Sequence, residues 1–110
     1  VRVVRVGDIS VKQELGATVR VLMKPEDGLA NLSITRVDLV PGSATQEHRH
    51  DTDQVVYVLE GKLLLSGGGE QHRVVAGDLI YIPAGFTHRH EPIGEVDLKQ
   101  LALFVPTRSS

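Results

Sequence analysis

Short runs of β-branched and aliphatic residues alternate along the chain with breaks rich in glycine and proline. The runs are Thr18 to Met23, Leu32 to Leu39, Val55 to Leu59, Lys62 to Leu65, Arg73 to Val75, Leu79 to Ile82 and Leu98 to Val105. Strands this short at close, regular spacing predict an all-β sandwich or barrel. No stretch shows helical periodicity, and only Asp8 to Leu15 offers a candidate turn of helix. Tyr57 to Leu65 reads as strand, tight turn, strand, with Gly61 free to take positive φ. Leu63 to Val75 reads as a second such unit, with Gly67-Gly68-Gly69 at the hairpin tip. A phosphate cradle would need that triplet to lead into a helix N-terminus, so a turn is the better reading. The tail Thr107 to Ser110 reads as frayed.

Composition narrows this picture. With 110 residues, 41% hydrophobic and 24% charged, the chain is expected to form one globular domain spanning 1–110. A net charge of −2 gives no basic surface for nucleic acid. No apolar stretch is long enough for a membrane span, and charges interrupt Val1 to Asp8 before a signal-peptide core can form. The absence of cysteine removes disulfides, thiolate metal sites and cysteine nucleophiles, and makes the cytoplasm the default compartment. With four aromatics (Tyr57, Tyr81, Phe86 and Phe104), the core must come from Val, Leu and Ile. A core this small favours a homodimer, with Val1 to Val6 or Thr18 to Met23 pairing with a partner's sheet edge.

The chemistry is concentrated in histidine. Four of the five fall in two His-x-His pairs, His48-Arg49-His50 and His88-Arg89-His90, where random placement would give about 0.2 such pairs. In a strand, residues two apart share a face, so each pair would present two imidazoles side by side. Gln54 has the same parity if the strand runs unbroken, and would add a carboxamide oxygen. A shared divalent cation or a merely polar strand face both suit such a pattern. His72, after the glycine tip, reads as a solvated strand residue.

From Pro41 to Pro92 the chain resembles the cupin family of small β-barrels. The first cupin motif is matched by Gly42, His48, His50 and Gly61, with Gln54 where glutamate is usual. The second is matched by Gly77, Pro83, Gly85 and His88, with Pro92 in the asparagine place. The resemblance implies a jelly-roll barrel of two antiparallel sheets, with His48, His50, His88 and Gln54 holding one divalent transition metal per chain. Fe, Mn, Ni, Co or Zn would all suit imidazole and carboxamide donors. Glutamine in place of glutamate removes a negative charge and leaves the ion a stronger Lewis acid. His90 would ligate the same ion, hydrogen-bond a substrate as a catalytic residue, or point outward. The apolar lining expected from Val56, Val58, Met23 and Leu103 suits a small, partly hydrophobic substrate.

A narrower resemblance links Gln54 to Gly61, Ala76 to Asp78, Ile80 to Pro83 and Phe104 to Arg108 with small cupins that linearise unsaturated uronates. In that subgroup an aspartate carries acid/base chemistry, and the corresponding place here holds Ala102. The expected function is a metalloenzyme that polarises a carbonyl or enol for isomerisation, elimination or cyclisation. A non-haem metal-dependent dioxygenase and a non-catalytic small-molecule-binding module are the alternatives.

Overall fold

In the computed structural model, which describes residues 1–28 and 31–105, nine strands form two antiparallel sheets. The strands are β1 (Lys12–Glu14), β2 (Ala17–Met23), β3 (Ser33–Leu39), β4 (Asp53–Glu60), β5 (Lys62–Gly67), β6 (Glu70–Val75), β7 (Leu79–Ile82), β8 (Arg89–Ile93) and β9 (Leu98–Val105). The larger sheet has the order β1-β2-β3-β9-β4-β7 and the smaller β6-β5-β8. This is a jelly roll, as expected. No helix among the described residues is long and apolar enough to cross a membrane.

Alternation along the strands sets what faces inward. On β9 the buried positions are Leu98, Gln100, Ala102 and Phe104, and on β4 they are Gln54, Val56 and Val58. Leu63 and Leu65 on β5 close the core from the smaller sheet. Burying a side chain such as Leu63 or Val58 contributes ~2 kcal/mol.

The path between the sheets depends on Gly61. β4 lies in the larger sheet and β5 in the smaller, so the expected tight turn is a crossover, and the two strands do not pair. Gly61 takes φ 82° there, and a Cβ would stand 2.6 Å from the carbonyl oxygen of Asp97. The glycine triplet does form a hairpin tip, between β5 and β6, with Gly68 and Gly69 both at positive φ. A Cβ on Gly68 would come within 2.8 Å of the Phe86 ring.

Several expectations fail. Asp8 to Leu15 holds no helix turn: a 3-10 turn covers Val6–Asp8, and β1 occupies Lys12–Glu14 because it pairs with Ala17 to Val19 of β2. Residues 1–5 form no strand within the chain, and β1 covers only Ala17 to Val19 of β2, so Arg20 to Met23 has a strand neighbour on its β3 side alone. β8 was missed because its run contains Pro92, which the sheet accommodates on an edge strand opposite Leu63. Pro106 to Arg108 and the tail to Ser110 lie outside the described residues. Replacing Gly61 with alanine should lower stability by about 2–4 kcal/mol through strain and overlap. A shift of the urea midpoint at constant m-value will measure it.

Candidate metal centre

His48 and His50 lie on the connection that follows β3, outside any strand, so strand alternation is not what brings them together. A bridge does. The amide of His48 donates to the carbonyl of His88 at 3.1 Å, and the amide of His88 donates back at 2.9 Å. Three residues before His48, the amide of Thr45 donates to the carbonyl of His90 at 2.9 Å. The Thr45 hydroxyl also accepts from the His90 amide at 2.9 Å. Residues 45–48 are thereby laid along the start of β8, and the histidines of both motifs meet where the two sheets converge.

The ring centroids of His48 and His88 are 4.4 Å apart, and those of His48 and His50 are 5.0 Å apart. One ligating nitrogen from each of His48, His50 and His88 lies within 4.8 Å of the others. Backbone carbonyls orient two of these rings. His48 Nδ1 donates to the carbonyl of Gln46 at 2.7 Å, and His88 Nδ1 donates to the carbonyl of Phe86 at 2.8 Å. A carbonyl only accepts, so each Nδ1 carries the proton and each neutral ring keeps its lone pair on Nε2. Phe104 packs nearly at right angles to His50 with ring centroids 4.9 Å apart, and Phe86 stacks near His88.

The donor set fits a divalent cation. His88 Nε2 and Gln54 Oε1 are both buried, and neither has a hydrogen-bond partner among the described residues. Buried acceptors are normally satisfied, and a cation would satisfy both. Gln54 lies on β4 opposite Ile82 and Phe104. The bend at residues 51–52 breaks the strand assumed in the parity argument, yet Gln54 still faces inward.

His90 is buried, and its Nδ1 donates to Gln100 Oε1 at 3.0 Å. It therefore does not point outward, the one of its three expected placements that the structure removes. Burial first, then the neighbouring His88 and His48, push its pKa down to about 3. Burial likewise lowers the pKa of His88, against the opposing pull of the Phe86 carbonyl. His72 is exposed beside Glu70, as expected.

A cavity of about 50 Å³ opens beside these groups, room for roughly three or four water-sized spheres. His48, His50, Gln54 and His90 line it together with Val19, Val37, Val56, Ala102 and Phe104. The expected lining is corrected at three positions. Val58 is fully buried in the core, Leu103 has the outward parity of β9, and Met23 does not reach the cavity. Sequence reasoning also missed Glu14, Thr45 and Gln100, all of which line it. Gln100 carried a signal, as a polar residue at an inward position of an apolar strand.

Two depressed histidines make acid sensitivity a consequence of the fold. Their unfolded counterparts bind protons near pH 6.5, whereas in the fold His90 holds off protonation to about pH 3 and His88 is shifted in the same direction. Stability is thus full above pH 6.5 and falls as pH drops below it. At pH 5.5 the buried His90 ring, with its pKa near 3, costs about 1.4 kcal/mol, and His88 shifts stability in the same direction. The metal-free protein should lose on the order of 10 °C in Tm between pH 7.5 and 5.5. Calorimetry with chelator present will measure this, and His90→Gln should flatten part of the dependence.

Comparison with known proteins agrees with this geometry. The cupin domain model matches residues 35–104. An uncharacterized protein of Methanocaldococcus jannaschii is 36% identical over 96 residues, covering 86% of this chain and 77% of that protein. The polyketide cyclase RemF from Streptomyces resistomycificus superposes with a TM-score of 0.84 at 26% identity, covering all of this chain and 82% of that one. A predicted oxalate decarboxylase from Thermotoga maritima superposes with a TM-score of 0.85 at 25% identity, covering 96% of this chain and all of that one. Two sheets rolled around converging histidines, with the family model spanning β3 to β9, make this chain a member of the cupin family.

Proposed function

We propose that this cupin is a metalloenzyme acting on a small carbonyl- or enol-containing substrate, by isomerisation, elimination or cyclisation. The observation that carries the proposal is the neutral donor set: three imidazoles and the unpartnered Gln54 Oε1, with no carboxylate among the donors. His48, His50, His88 and Gln54 would hold one divalent ion, either Fe, Mn, Ni, Co or Zn. When bound, that ion supplies Lewis-acid stabilisation of charge developing on a substrate oxygen, undiminished by an anionic ligand. His90 contributes from the chain's side. With Nδ1 tied to Gln100, its Nε2 lone pair serves as an acceptor for a substrate hydroxyl. Val19, Val56 and Phe104 exclude water and favour a partly apolar substrate. The likeness to a polyketide cyclase supports carbonyl chemistry of this kind.

Two readings compete: a dioxygenase using the same ion, and a module that binds a small molecule without turnover. Metal-loaded protein in deuterated water, given pyruvate, is expected to exchange the methyl protons beside the carbonyl. With pentane-2,4-dione under air it should consume no oxygen. Oxygen uptake matching dione loss selects the dioxygenase, and neither reaction with intact metal binding selects the binding module. Gln54→Glu should bind metal at least as tightly and exchange more slowly, and loss of the ion from that variant would exclude Gln54 as a ligand.

A cytoplasmic homodimer is part of the same proposal. With no cysteine to oxidise, the chain needs no oxidising compartment. The outer face of the larger sheet carries Val55 opposite Tyr81 and Leu103, and Tyr57 opposite Leu79 and Leu101. Leu79 and Tyr81 are 69% and 64% exposed, which favours this face over the edges for association. Sedimentation velocity should show a dimer that Tyr81→Asp converts to monomer.

A further inference from the structure

The turn joining β1 to β2 is built to present side chains to the cavity. Leu15 has φ 53° and Gly16 φ 90°, the paired left-handed residues of a primed hairpin turn. A leucine in that conformation is strained, so its surroundings must hold it there. The carbonyl of Leu15 accepts from the amide of Gln46 at 2.9 Å, and a Cβ on Gly16 would stand 2.7 Å from the carbonyl of Ala44. The turn is thus seated on residues 44–46, the same segment whose Thr45 bonds His90 and whose Gln46 carbonyl orients His48. Glu14 and Leu15 line the cavity as a result, facing the space shared by His48, His50 and His90.

Among the residues lining that cavity, Glu14 is the sole carboxylate. The other polar groups are imidazoles, the amides of Gln54 and Gln100, and the hydroxyls of Thr35 and Thr45. Amides and hydroxyls are poor acceptors of a proton from carbon, whereas a positioned carboxylate is a common general base. The Glu14 side chain is 24% exposed, and Lys12 Nζ lies 3.4 Å from its Oε2, so the carboxylate is held at the cavity rim within a defined ion pair.

We infer that Glu14 is the proton-transfer residue of this site, acting on the substrate carbon next to the carbonyl. The inference rests on the enolising reading above. In the step, the C–H bond breaks and its electron pair becomes the C=C bond of an enolate. The carbonyl π pair moves to oxygen, and the proton goes to a Glu14 carboxylate oxygen. Returned to the neighbouring carbon of an enediol, that proton completes an isomerisation without oxidant or reductant. Replaced from deuterated solvent and returned to the same carbon, it registers as exchange.

The test compares zinc-loaded wild type, Glu14→Gln, Glu14→Asp and His90→Gln for exchange of the pyruvate methyl protons, with calorimetric titration of zinc into each metal-free protein. Glu14→Gln should slow exchange at least ~100-fold with zinc affinity and Tm unchanged, and Glu14→Asp should recover part of the rate. Exchange by Glu14→Gln at the wild-type rate overturns the assignment while leaving the enolising reading intact. So does a comparable loss in His90→Gln with none in Glu14→Gln. Loss of zinc binding in Glu14→Gln would make Glu14 a ligand and equally overturn it. Zinc-loaded wild type that exchanges nothing fails the enolising reading itself, and the role of Glu14 with it.

Discussion

Each of two imidazoles is tied to the carbonyl two residues before it, His48 to Gln46 and His88 to Phe86, and the rest of the site depends on this repeated bond. It decides which nitrogen carries the proton, and therefore which lone pair faces the other rings. The rings can be so disposed because the backbones of His48 and His88 also bond each other in both directions. Proton placement, ring orientation and the closing of one sheet on the other are settled by a handful of neighbouring hydrogen bonds.

Residues 44–46 extend that control beyond the two motifs. One face of this short segment receives the strained turn at Leu15 and Gly16, while Thr45 clasps the backbone of His90 on both its amide and its carbonyl. The segment is outside the sheets, yet it touches three sources of cavity-lining residues. Its regularity comes from hydrogen bonds made to other elements, which is why it holds its shape without belonging to a strand.

Spacing made the fold and the histidine grouping legible. The match of Gly42, His48, His50, Gly61, Gly77, Gly85 and His88 to a motif pair placed three imidazoles together, and the structure groups the same three. Strand parity is not what groups them, because His48 and His50 are not in a strand and Gln54 follows a bend. What stayed hidden is non-local. Lys12 to Glu14 shows no apolar alternation, so nothing in it announces a strand or a carboxylate facing a cavity. That outcome depends on Leu15 meeting Gln46 across the fold. Leu103 was misplaced by one residue of parity, which turns a side chain to the opposite face of a sheet.

The glycine tip between β5 and β6 looks like a permissive place to splice in a tag or graft an epitope. A Cβ on either Gly67 or Gly68 would stand 2.8 Å from the Phe86 ring, which lies within 15° of parallel to His88 with centroids 6.5 Å apart. Any graft that displaces that ring would be felt one layer further in, at an imidazole of the three-histidine cluster. An engineer should therefore splice beyond Gly69, whose surroundings are open, and treat the first two glycines as a buttress behind the histidine cluster.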